Sequence, residues 1–153
     1  ILESTWLGYH EPYSIKSITS MVGQMMLSKG QSKMLSEYDL HAFELPVLEP
    51  SRTICEKIMS LVRFSYQKNP IDDLKKKIRH VYDLHQLLRR EEYLIFFQSK
   101  DFDSMLLKVA NDDGLSFKSN NQWLVHHPNE ALIFKDVEQV WGELKTSYQS
   151  ESV

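Results

Sequence analysis

Two short runs place charged residues at spacings that could serve phosphate chemistry: Arg52-Thr53-x-x-Glu56-Lys57-Ile58 and Ile78-Arg79-His80-Val81-Tyr82-Asp83-Leu84. A lysine held near an ordered carboxylate can bind phosphate instead of acting as a solvated surface charge. In the first run Arg52 and Glu56 are i, i+4 neighbours on a helix, and Arg63 follows seven residues later on roughly the same side. One reading has Lys57 and Arg63 neutralising nucleotide phosphates while Arg52 and Glu56 brace the helix. An amphipathic helix with a polar rim gives the same spacing. In the second run Arg79, Asp83, Gln86 and Arg90 form one stripe, with Tyr82 on its flank. Asp83 is placed to orient Lys57 or a substrate hydroxyl across a helix pair. A plain Arg79–Asp83 surface ion pair is the other reading, and such pairs contribute under about 1 kcal/mol.

Both runs must be positioned by helices, because each is interleaved with an apolar stripe. Ile54, Ile58, Leu61 and Ser65 share one side of the first, with Cys55, Met59, Val62 and Tyr66 beside them. Leu74, Ile78, Val81, His85 and Leu88 line up on the second. The spacing predicts a helix from Pro50-Ser51, with Ser51 as N-cap, to about Gln67. A second helix is expected from Pro70 to about Arg90, with Asp72 and Asp73 at its positive end.

Upstream, Ile1–Leu7 reads as a strand, Gly8–Pro12 as a turn, Tyr13–Leu27 as a helix closed near Gly30, and Phe43–Leu48 as an edge strand containing Pro46. Downstream, helices are expected over Tyr93–Phe97 and Asp101–Asn111, the latter ended by Asp112-Asp113-Gly114. An irregular stretch anchored by Trp123 follows, then a last helix capped by Asp136. The fold class is therefore α+β and mainly α, a helical domain with a short N-terminal strand pair. Residues 1–149 are expected to form one domain. Within it, 1–48 supply a sheet edge plus one helix and 49–149 a helical bundle; 150–153 are a loose tail.

The 153 residues suffice for one core, and the apolar fraction of 42% is that of an ordinary globular protein. A net charge of −3 argues against nucleic-acid binding by overall charge, although Lys75, Lys76, Lys77, Arg79, Arg89 and Arg90 crowd one stretch. No DNA partner is expected. The lone Cys55 rules out an internal disulfide and suits a reducing cytoplasm, and no apolar run is long enough to span a membrane. The histidines lack zinc spacing, and neither a Gly-rich phosphate loop nor a Gly-x-Ser-x-Gly elbow occurs. Glu3 on the first strand has the position of a Mg²⁺ ligand, or of an ordinary exposed glutamate. Since the chain begins at Ile1 inside a strand pattern, it reads as part of a longer protein.

Val47 to Ile58, then Arg63, then Ile78 to Leu84 resembles the C-terminal half of the AbiEii/AbiGii toxin family of nucleotidyltransferases. These are bacterial proteins of the DNA polymerase β-type nucleotidyltransferase fold, linked to abortive phage infection and to toxin–antitoxin pairs. The likeness covers Ile1 to about Leu88. It implies that Lys57 contacts nucleotide phosphates, that Asp83 positions that lysine or the acceptor, and that Arg63 is an accompanying basic residue. Glu3 would correspond to a strand acid. The family's Gly-Gly-Ser/Thr segment and its Asp-x-Asp/Glu strand are absent. Two-metal phosphoryl chemistry needs those carboxylates to hold Mg²⁺, so the resemblance implies a C-terminal part that is inactive alone. It also implies an NTP substrate, an RNA (such as tRNA) or protein acceptor, and a cognate antitoxin. A reading from another class is a non-catalytic helical module that binds an antitoxin or an RNA through the Lys75–Arg90 stretch.

Overall fold

The computed structural model describes residues 11–119 and 121–151. The expected strand over Ile1–Leu7, and Glu3 with it, lies outside the described residues. The described chain is α+β and mainly α, as its patterning implies, and divides into two compact units, residues 11–49 and residues 50–151.

The first unit holds a two-stranded antiparallel sheet of β1 (Tyr13–Ile18) and β2 (Phe43–Leu48), with Tyr13 opposite Leu48 and Ile18 opposite Phe43. Pro46 is tolerated opposite Ile15 because each strand has only one hydrogen-bonded neighbour among the described residues. Between the strands run α1 (Met21–Ser28) and α2 (Ser32–Glu37). The single helix expected over Tyr13–Leu27 is thus corrected to a strand followed by a helix. Ser20 makes the division: its hydroxyl accepts from the Gly23 N–H at 3.0 Å and caps α1. Ile15 and Ile18 mimic helical spacing but sit in an extended ladder.

The second unit is built on α3 (Pro50–Ser65), whose buried residues include Arg52, Ile54, Cys55, Ile58, Met59, Leu61 and Val62. Pro50 occupies the start of this helix, so Ser51 lies within the first turn and not before it. One apolar cluster joins Ile54, Ile58 and Leu61 to Leu74, Ile78, Leu84, Val140 and Leu144. The other joins Cys55, Met59 and Val62 to Val109, Trp123 and Ala131. Neighbouring positions on α3 fall in different clusters because α3 is covered on both sides.

The helix expected from Pro70 to Arg90 is two: α4 (Pro70–Lys75) and α5 (Ile78–Leu88), separated at Lys76 and Lys77. No Gly or Pro marks that break. After α6 (Glu91–Phe97), α7 (Lys100–Ser116) continues through Asp112-Asp113-Gly114, where a helix end was expected. Trp123 is buried in a short 3-10 turn, as an anchor should be. Then come α8 (Leu132–Lys135) and α9 (Val137–Glu151), with Asp136 just before α9. Ser150 belongs to α9, not to a loose tail. No helix among the described residues is long and apolar enough to cross a membrane.

Candidate functional site

Lys57 projects from α3 toward α5, and its Nζ donates to Asp83 Oδ2 at 2.9 Å. Arg79, one turn before Asp83, donates from Nε to the other carboxylate oxygen at 3.2 Å. The carboxylate is therefore shared between an interhelical lysine and an intrahelical arginine. Lys57 is 16% exposed and Asp83 27%, so the pair is partly desolvated yet open to a ligand. Burial works to raise the Asp83 carboxyl. Hydrogen bonds and positive charge from Lys57 and Arg79 outweigh it and hold its pKa below the ordinary carboxylate value. An ammonium has three donors, and Asp83 fixes the direction of one. The arrangement can present a fixed positive charge to a phosphate without having to order a flexible side chain.

Arg52 and Glu56 lie on another side of α3. Arg52 is 2% exposed; its Nε donates to Glu56 at 2.8 Å and its guanidinium reaches Asp112 of α7 at 2.7 Å. Burial lowers the Arg52 pKa, but the two carboxylates more than compensate. Through Arg52 these contacts tie α3 to α7. Arg63 also faces that way. Its guanidinium lies 4.4 Å from the centre of the Phe117 ring and 5.1 Å from that of Phe64. Burial lowers its pKa against the pull of nearby Asp113.

Lys57 and Arg63 are six residues apart, about 120° around the helix. The structure brings Lys57, Asp83 and Arg79 together, and separately Arg52, Glu56 and Arg63, but it does not bring Lys57 beside Arg63. In the sequence Asp112 and Asp113 carry no mark beyond a helix-ending pattern. Arg52 falls in line with buried Cys55, Met59 and Val62, a register that demands an acidic partner from elsewhere in the fold; that was the available signal.

Burial raises Asp113 to about 6, opposed by Arg63 and Arg52 and aided by Glu56 and Asp112. The Cys55 thiol is fully buried and pushed up to about 12, so it packs and does not act as a nucleophile near neutral pH. The basic stretch is less available than its sequence suggests. Lys75 pairs with Asp72, Lys76 with Asp73, Arg79 with Asp83 and Arg90 with Glu92.

A divalent cation would need several convergent oxygen ligands. Among the described residues no group of three or more His, Cys, Asp or Glu side chains could hold a metal. Glu56 of α3 and Asp112 of α7 are both committed to Arg52. The described residues therefore do not fit a Mg²⁺ site.

The family model described as nucleotidyl transferase AbiEii toxin, of a type IV toxin–antitoxin system, matches residues 8–150. The match extends well beyond Leu88, taking in the helices downstream of it. No curated protein and no solved structure matches the chain. With nearly its whole length matched, the chain belongs to the AbiEii nucleotidyltransferase toxin family. A nucleotide substrate and an antitoxin counterpart come with that description.

Proposed function

We propose that this member of the AbiEii toxin family binds the phosphates of a nucleoside triphosphate with Lys57, in a protein that transfers a nucleoside monophosphate to an RNA or protein acceptor. The observation that carries the reading is the partly buried Lys57–Asp83 pair between α3 and α5, with Arg79 on the second carboxylate oxygen. Lys57 supplies the charge, Arg79 a second cation beside it, and Asp83 the orientation of both. Arg63, turned toward Phe117, supports the α3–α7 packing in this reading and does not contact phosphate. Arg52 and Glu56 hold α3 in place. We assign binding, not bond making, to the described residues, since their acids do not fit a metal site.

The competing reading, a non-catalytic module contacting RNA through the Lys75–Arg90 stretch, has less support because Lys75, Lys76 and Arg90 are each paired with a nearby carboxylate. Titration calorimetry with nucleoside triphosphates separates the two. Lys57→Met should weaken triphosphate binding by at least about tenfold, the scale of one charge-assisted contact, while the far-ultraviolet dichroism stays unchanged. Lys57→Arg should recover part of the affinity. Unaltered affinity in a folded Lys57→Met chain would remove Lys57 from the site. If Lys57→Met does not fold, Lys57→Arg and Arg79→Met carry the test, and wild-type affinity in both would have the same meaning.

A further inference from the structure

The side of α5 that carries Asp83 and Arg79 continues into a group of rings for which the phosphate reading has no use. The Arg79 guanidinium carbon stands 5.7 Å from the centre of the Tyr82 ring while its Nε holds Asp83. Tyr82 lies 6.1 Å from Tyr148 of α9, with the planes inclined at 50°. Tyr148 is set edge-on to Trp141 at 5.2 Å, and its hydroxyl is 2.8 Å from His85 Nδ1. That ring is thus fixed both by packing and by a hydrogen bond. Tyr82 and Tyr148 are half-buried, whereas His85 and Trp141 are exposed. Taking Asp83 as origin and about 100° per residue, Arg79, Tyr82 and His85 follow in order round one side of α5, at about 40°, 100° and 160°. A ligand on this face passes from charge to aromatic surface within one side-chain width.

We propose that Tyr82 and Tyr148 form a stacking subsite for the nucleobase of the nucleoside triphosphate whose phosphates lie at Lys57 and Arg79. This rests on the phosphate role of Lys57 and adds to it the part of the ligand that phosphate contacts cannot recognise. Three features support it. The Arg79 guanidinium carbon, 5.7 Å from the centre of the Tyr82 ring, puts one phosphate-directed cation directly beside the rings. Tyr148 is held in orientation by His85 and Trp141, so little of its freedom is lost on stacking. Arg79 over Tyr82 places a cation where phosphate and ring meet. Stacking is tolerant of base identity, since every base has a π-face, so the four nucleotides should bind with similar affinities.

The test compares inorganic triphosphate with the four nucleoside triphosphates on the full chain. Tyr82→Leu should weaken nucleotide binding about tenfold and leave triphosphate binding unchanged. Tyr82→Trp should restore the nucleotide affinity. Lys57→Met should weaken both ligands. If Lys57→Met affects neither while Tyr82→Leu weakens the nucleotides, the phosphate reading fails and the base subsite stands. Equal losses for both ligands in Tyr82→Leu, or no loss in a folded variant, would overturn the subsite. So would a loss confined to a short single-stranded oligonucleotide, which would assign the rings to a nucleic-acid strand instead. Should Tyr82→Leu not fold, saturation-transfer NMR on the unaltered chain decides. Transfer from tyrosine ring protons to base protons is expected, and transfer confined to the ribose overturns the proposal.

Discussion

Asp113 and Asp83 are both partly buried carboxylates on helices beside α3, yet their surroundings push them in opposite directions. Asp83 has two cations within hydrogen-bond reach and is held low. Asp113 shares its neighbourhood with Glu56 and Asp112, burial dominates, and it is raised to about 6. Linkage then gives opposite signs. An unfolded aspartate titrates near about 3.9. Native Asp113 therefore binds more protons than the unfolded chain between about pH 4 and about pH 6, and the stability it contributes falls as pH rises through that window. The Asp83 contribution is present above the unfolded value and is lost as pH falls through its lower native one. Asp113→Asn should consequently stabilise the protein by about 1–2 kcal/mol at pH 8, discounted for partial solvent screening, and by much less at pH 4. Urea denaturation of both proteins at the two pH values checks it. A stability difference that does not grow with pH would mean that Asp113 is ionised without penalty.

Helix ends in the first unit show how much of an element is decided by its terminal residues. After α1, Gly30 adopts φ 67°, the Gly30 N–H donates to Leu27 O and the Gln31 N–H to Met26 O. That pair of bonds is a Schellman closure. A Cβ at Gly30 meets nothing within 4 Å, so Gly30→Ala costs only the left-handed conformation, about 1 kcal/mol. Gly23 is the reverse case, since a Cβ there would stand 2.6 Å from the backbone oxygen of Leu40 and 2.9 Å from Thr19 Cγ2. Backbone cannot step aside cheaply, so Gly23→Ala should cost more, about 2–3 kcal/mol. Thermal melts of the two single variants should rank them in that order; equal melting temperatures would show that the chain around Leu40 yields.

The same scale explains what could be read in advance. The α3 and α5 helices were legible because their apolar positions recur at helical spacing, and with them the Lys57–Asp83 pair. The strand β1 was not, because Ile15 and Ile18 stand three apart, a helical spacing that puts them on opposite faces of a strand, and the division made by the Ser20 cap has no periodic signature. Neither was the passage of α7 through Asp112-Asp113-Gly114. A triplet that ends isolated helices is held helical here by its contacts with α3: Asp112 is tied to Arg52, which no local pattern reveals. The direction of Arg63 depended likewise on Phe117, far along the chain.

Across the whole molecule, buried apolar side chains are shared unevenly between the two units. Both core clusters lie within residues 50–151, and α3 contributes to each. In residues 11–49 the buried apolar side chain is Leu35, whereas Tyr13, Ile15, Met21, Met25, Leu27, Tyr38 and Phe43 are all exposed. A two-stranded sheet has little stability of its own without an apolar face packed against something. The free energy of opening should therefore differ by region, because local opening costs least where few apolar contacts are broken. Native-state hydrogen exchange, read residue by residue, should find the amides of Ile54 to Val62 exchanging only through global unfolding. The amides of β1 and β2 should exchange by openings that cost several kcal/mol less. Adding triphosphate should raise protection in α3 and α5 first, where Lys57 and Asp83 stand, since a ligand stabilises only the states able to bind it. Uniform protection along the chain would mean that the two units open together, and that the first is held by more than its own buried side chains.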